Sequence, residues 1–79
     1  MTGEDPTRHE LAVVIAGRLR LALDTAGMSE QQLAARLGSR SSRVNNWTRA
    51  RQPPSLLSIV QVARILGVSV DWLLGRDDR

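Results

Sequence analysis

The sequence predicts an all-α domain, and three observations carry that prediction. Apolar residues recur at helical spacing, and no alternating strand pattern appears anywhere in the chain. Capping residues, glycines and a proline pair divide the 79 residues into segments of helical length. Tyrosine and phenylalanine are absent, which removes residues that favour strands. About five helices with short connections are expected.

Taken in order, Thr7 is placed to cap a first helix, with Glu10 completing a capping box three residues on. Leu11, Val14, Ile15, Leu19, Ala22, Leu23 and Ala26 form its apolar row, up to a stop at Gly27. A second helix starts at once. Ser29 caps it, Gln32 reaches back, Met28 and Leu33 form a hydrophobic staple, and Gly38 ends it. Pro53 and Pro54 are a firm boundary, because neither fits a helix interior, and Ser55 caps the helix beyond them. Leu56, Ile59, Val60, Ala63 and Leu66 fall on one side of that helix, which Gly67 stops. Ser69 then caps a last short turn through Leu74.

The stretch between Gly38 and Pro53, which includes SRSSRVNNWTRAR, is the ambiguous one. Serine and asparagine compete for backbone groups and lower helix propensity. On a helical wheel, however, Val44 and Trp47 share one face, and Ser42, Asn45, Asn46 and Arg49 line the other. Burial of Trp47, worth about 2–3 kcal/mol, can offset the poor propensity. If the stretch is a helix, its polar stripe carries amides and hydroxyls suited to base edges and guanidinium groups suited to guanine or phosphate.

Charge points the same way. All 11 basic residues are arginine. Residues 1–10 carry Glu4, Asp5 and Glu10 against Arg8, whereas residues 11–75 carry eight arginines against Asp24, Glu30 and Asp71. Five arginines and no acid fall between Arg36 and Arg51, an electrostatic footprint for a polyanion. Thiolate metal sites and cysteine nucleophiles are excluded with the cysteines, and a chain that needs no disulfide fits the cytoplasm. The longest apolar run, Leu11 to Ala16, is too short to span a bilayer, and the polar start does not read as a secretory signal. His9 stands alone, no metal-ligand spacing or cofactor motif appears, and no catalytic constellation is present, so an enzyme is not expected.

The segment MSEQQLAARLG from Met28 to Gly38, then Val44 and Trp47, then RARQPPS from Arg49 to Ser55 resembles the helix-turn-helix of phage-repressor and Cro-like transcriptional regulators. Arg18-Leu19-Arg20 and the closing ARILGVSVDWLL are similar too, so the resemblance runs from about residue 14 to 75 without a gap. It implies a five-helix lambda-repressor-like DNA-binding domain whose second helix crosses the phosphate backbone and whose third enters the major groove. Carried onto this chain, the base-reading positions are Ser41, Ser42 and Asn46, with Arg43 and Asn45 at the edges. Phosphate contacts fall on Gln31, Arg40, Arg49 and Arg51. Three residues depart from the pattern. Glu30 replaces a usual glutamine and would repel phosphate. Arg40 replaces a capping hydroxyl, moving the cap to Ser39 or Ser41. Ala50 replaces a common glycine and is strained if that position is left-handed.

The expected function is a repressor that occupies double-stranded DNA as a homodimer, since one small domain reads only a few base pairs. The seam is expected at the chain end, where Val68, Val70, Trp72, Leu73 and Leu74 exceed what a short helix buries alone. The alternative is a protein-interaction module, an adaptor or antitoxin-like partner, that keeps the fold with weak DNA contact. The expected organisation is a flexible arm at residues 1–6, a single domain at 7–75 with no separate effector domain, and a frayed tail at 76–79. Both tryptophans are expected to pack. Arg18, Arg36 and Arg64 are expected in solvent or in salt bridges, with Arg20 the best candidate for a structural pair.

Overall fold

The first helix, α1 (Arg8–Ala26), starts as its caps dictate. Thr7 accepts from the Glu10 amide, and the Glu10 carboxylate accepts from the Thr7 amide at 2.7 Å. The computed structural model describes residues 7–76, so the expected arm at 1–6 and tail residues 77–79 lie outside the described residues. Four further helices follow among the described residues: α2 (Glu30–Leu37), α3 (Ser41–Thr48), α4 (Leu56–Leu66) and α5 (Val70–Leu73). The Ser29–Gln32 capping box opens α2, Ser55 caps α4 and Ser69 caps α5.

The α1 helix packs against α3, α4 and α5, while α2 packs against α3 and α4, so α2 and α3 form a corner held from behind. One core results. It joins Ile15, Leu19 and Leu23 of α1 to Leu33 and Ala34 of α2, Val44 and Trp47 of α3, Ile59, Val62 and Ala63 of α4, and Leu73 of α5. Trp47 is buried, and Trp72 is half-buried at the core's edge. The all-α, five-helix domain expected from the sequence is the observed fold.

All five helices end on the same device. A residue one or two positions past each helix is left-handed, and the amide after it bonds back to a carbonyl five residues earlier, which satisfies carbonyls the helix leaves open. Gly27, Gly38, Gly67 and Gly75 hold four of these positions, and Ala50, at φ 58°, holds the fifth after α3. The strain expected of Ala50 is therefore present.

Several expectations need correction. Neither Ser39 nor Ser41 caps α3. Arg40 occupies the N-cap with no side-chain hydrogen bond, because a guanidinium has no acceptor to offer. On α1 the buried row is Ala12, Ile15, Ala16, Leu19, Ala22 and Leu23, with Val14 and Ala26 exposed, as an inner face turned slightly from the predicted one requires. On α4 the buried residues are Ser58, Ile59, Val62 and Ala63, while Leu56 and Val60 face solvent with Leu57. Of the residues assigned to a seam, Leu73 is withdrawn from the surface while the others stay partly exposed. Leu73 is buried, and Val68, Val70, Trp72 and Leu74 pack partly buried against the core. Arg18 is half-buried rather than fully solvated, and it engages Trp72. Its guanidinium lies 4.9 Å from the Trp72 ring centroid and donates to the Trp72 carbonyl at 3.1 Å.

Candidate nucleic-acid interface

The α3 helix has eight residues, and its position is set at both ends of its apolar side. Val44 and Trp47 seat it in the core, and the buried Thr48 fixes its C-terminal end. Two residues from other helices converge on Thr48. Arg20 of α1 donates to its carbonyl, and its hydroxyl donates to Glu30 of α2 at 2.8 Å. The expected structural role of Arg20 is thus filled by a backbone carbonyl at a helix C-terminus, where a cation also complements the helix dipole.

Glu30 has a role that sequence reasoning missed. Its other oxygen accepts from the Asn45 amide at 3.1 Å, so one carboxylate ties the first turn of α2 to two residues of α3. A carboxylate can accept several hydrogen bonds at once, and here the bonds turn its charge into the corner. The spacing of Glu30 and Asn45 in sequence contains no signal of this contact. Only the close packing of α2 on α3 creates it.

The predicted reading residues are therefore not equivalent. Ser41 and Ser42 are exposed on the first turn of α3. Asn46 is half-buried on the face opposite the core, one turn on from Ser42 and one turn from exposed Arg49. Asn45 leans toward α2, held by Glu30, and its side-chain oxygen lies 3.5 Å from the Arg51 guanidinium. Arg43 leans the other way, its guanidinium 5.7 Å from the Trp47 ring centroid, beside the Pro53-Pro54 connection and Arg8. Ser42, Asn46 and Arg49 make the central stripe, with Asn45 and Arg43 as its two margins.

Of the predicted phosphate-contacting residues, Arg49 belongs to that stripe itself. Gln31 is exposed in the first turn of α2, Arg40 at the start of α3, and Arg49 and Arg51 just past its end. The left-handed turn at Ala50 lies between those last two arginines, and the Arg51 amide donates to the Asn46 carbonyl at 2.9 Å. The surface is cationic and hydrogen-bonding, with no acid except the Glu30 carboxylate engaged on α3. Among the described residues, no group of His, Asp and Glu is placed to hold a metal ion, and no helix is long and apolar enough to cross a membrane.

Two helices meeting at a glycine-ended corner, the second short and polar on its open side, define a helix-turn-helix protein. The chain belongs to the helix-turn-helix family HTH_3, whose model matches residues 19–73. That family is one of transcription regulators, not of enzymes. The chain is similar to the HTH-type transcriptional regulator ImmR of Bacillus subtilis (strain 168), at 28% identity over 61 residues. It spans about half the length of that relative, 48%, with 77% of its own residues matched. A crystal structure of the hypothetical transcription factor NHTF from Neisseria is similar over 94% of this chain and 85% of its own, with TM-score 0.77 and 31% identity.

Proposed function

We propose that this chain is the sequence-reading unit of a DNA-binding transcriptional regulator, and that it represses by occupying an operator as a homodimer. One observation carries the reading: an outward stripe of hydrogen-bonding side chains on a helix seated in the core and pinned at its C-terminal end, with exposed arginines at and beside it.

In this mechanism α3 lies in the major groove and α2 crosses the backbone. The Asn46 amide pairs with an adenine edge, which presents one donor and one acceptor, and the Ser41 and Ser42 hydroxyls serve either role. Arg43 and Asn45 contribute from the margins, Asn45 less freely because Glu30 holds its amide. Gln31, Arg40, Arg49 and Arg51 contact phosphates and set register without reading sequence. Among the described residues the Arg51 side chain is held by one long bond to Asn45, so turning to a phosphate costs it little.

An eight-residue helix reads only a few base pairs, which is why two copies are proposed. Partly exposed Val70, Trp72 and Leu74 offer the surface for that pairing. Half-sites then lie about 34 Å apart. With roughly eight phosphates neutralised per dimer, log affinity falls with log salt at a slope of about −7.

Selection of bound sequences from a random DNA pool tests this. A palindrome with half-sites one helical turn apart is expected. No enrichment, together with no gel retardation at about 20 mM salt, rejects the reading in favour of a protein-interaction module.

A further inference from the structure

A groove of about 420 Å³ runs between the C-terminal part of α2 and the outer face of α4, and no α3 residue lines it. Half-buried Leu37 and Ile65 floor it, and Leu57 and Val60 wall it, 67% and 40% exposed. Leu57, Val60 and Arg64 fall at helical intervals of three and four, so they form one stripe along α4. The DNA-reading role uses none of these residues.

Arg36 and Arg64 stand at its rim, and no acidic residue lines it. Each arginine sits in the last turn of its own helix, where a cation is favourable in any case. That explains the residue type at each position but not why both border one apolar cleft. A second copy docked here by a two-fold axis would bring the four guanidiniums close together, and like charges across an interface are costly. A standard dimer interface also needs roughly 20–30 residues a side, more than this cleft provides. DNA would find cations but no use for the apolar floor.

We propose that this groove docks an acidic amphipathic helical segment of a protein partner. An apolar anchor sits over Leu37 and Ile65 between Leu57 and Val60, and two carboxylates reach Arg36 and Arg64. This is helix-in-groove recognition with an anchor and a charged rim. Because α3 and residues 49–51 take no part, the partner binds without displacing α3 from DNA. The surface thus joins a regulator to a second protein on the operator.

The test is display selection of random 12-residue peptides on the folded full chain, followed by fluorescence titration with a synthetic copy of the enriched peptide. Enrichment of apolar residues three or four positions from Asp or Glu is expected. The Arg36→Glu/Arg64→Glu variant should weaken binding at least about tenfold, since both rim pairs become repulsive. Arg36→Lys/Arg64→Lys should retain most of it, and circular dichroism should show both variants folded. Chemical shifts should move at Leu37, Leu57, Val60 and Ile65, not on α3. The proposal is overturned if enriched peptides lack acids, if charge reversal leaves their affinity unchanged, or if shifts map elsewhere. It is also overturned if the groove proves to be occupied by a second copy, seen as a dimer that Leu57→Ser dissociates, or if charge reversal abolishes DNA binding instead.

Discussion

Replacing Ala50 with glycine should stabilise the protein, against the usual cost of introducing glycine. Ala50 sits at φ 58°, whereas the four equivalent positions are glycine at φ 65° to 75°, so the chain contains its own controls. An L-residue in the left-handed region costs about 1–2 kcal/mol because its Cβ crowds the following carbonyl. Against that relief, glycine adds unfolded-chain entropy worth about 0.4–1 kcal/mol. The Ala50 methyl is only half-buried, so its removal costs a few tenths more. The net is about 0.5 kcal/mol in favour of glycine, or roughly 2–4 °C in Tm for a domain of this size. Thermal unfolding tracked by far-ultraviolet circular dichroism and by tryptophan fluorescence measures it directly. Both probes should report the same increase, since Trp47 is in the core and close to the turn. Ala50→Val, with a branched Cβ in the same conformation, should lower Tm instead. A lower Tm for Ala50→Gly, or an equal Tm for all three proteins, refutes the strain assigned to this turn.

The remaining predictions concern the corner, its ligand and the turn after α5. Glu30→Ala removes two hydrogen bonds to α3 and should cost about 1–3 kcal/mol, read by urea unfolding, while Glu30→Gln, which keeps an acceptor there, should cost less, about 1 kcal/mol or below. Glu30→Gln also removes a negative charge from the DNA-facing surface, so DNA affinity in gel shifts at low salt should rise a few-fold. Asn46→Ala should flatten preference among sequences from the random pool with little effect on nonspecific affinity, whereas Arg49→Ala should weaken all DNA alike and reduce the salt slope by about 1 for each phosphate no longer neutralised. Gly75→Ala should destabilise by about 1–3 kcal/mol. Its Cβ would lie 2.7 Å from Val14 Cγ1 in a left-handed conformation, and Val14→Ala should restore only the steric part, read by the same urea unfolding.

Helix ends are legible in the sequence because side chains specify them locally. Thr7 with Glu10, Ser29 with Gln32, Ser55 and Ser69 all cap where their spacing predicts, and the glycines stop helices where a left-handed residue is needed. The start of α3 is not legible, since Arg40 can donate but not accept. The inner face of α4 is misleading because apolar Leu56, Leu57 and Val60 lie outside it while Ser58 lies within it. The core role of the last residues is hidden for a related reason: surplus apolar residues say that something covers them, not whether the cover is this chain or another. At the candidate interface, the stripe of Ser42, Asn46 and Arg49 is readable from the wheel. The different surroundings of Asn45 and Arg43 are not, because Glu30 and Trp47 act on them through packing and through partners the wheel does not show.

The missing cap on α3 has a dynamic consequence. A helix whose first amides lack a side-chain acceptor opens easily at that end, while Arg20 and Glu30 hold the other end on Thr48. In free protein the amides of Ser41 and Ser42 should exchange with solvent hydrogen far sooner than those of Val44 or Trp47. An operator that supplies acceptors there would order this turn as it binds, so recognition would carry a local folding step. Matched and mismatched DNA would then differ in amide protection at Ser41 and Ser42 as well as in affinity.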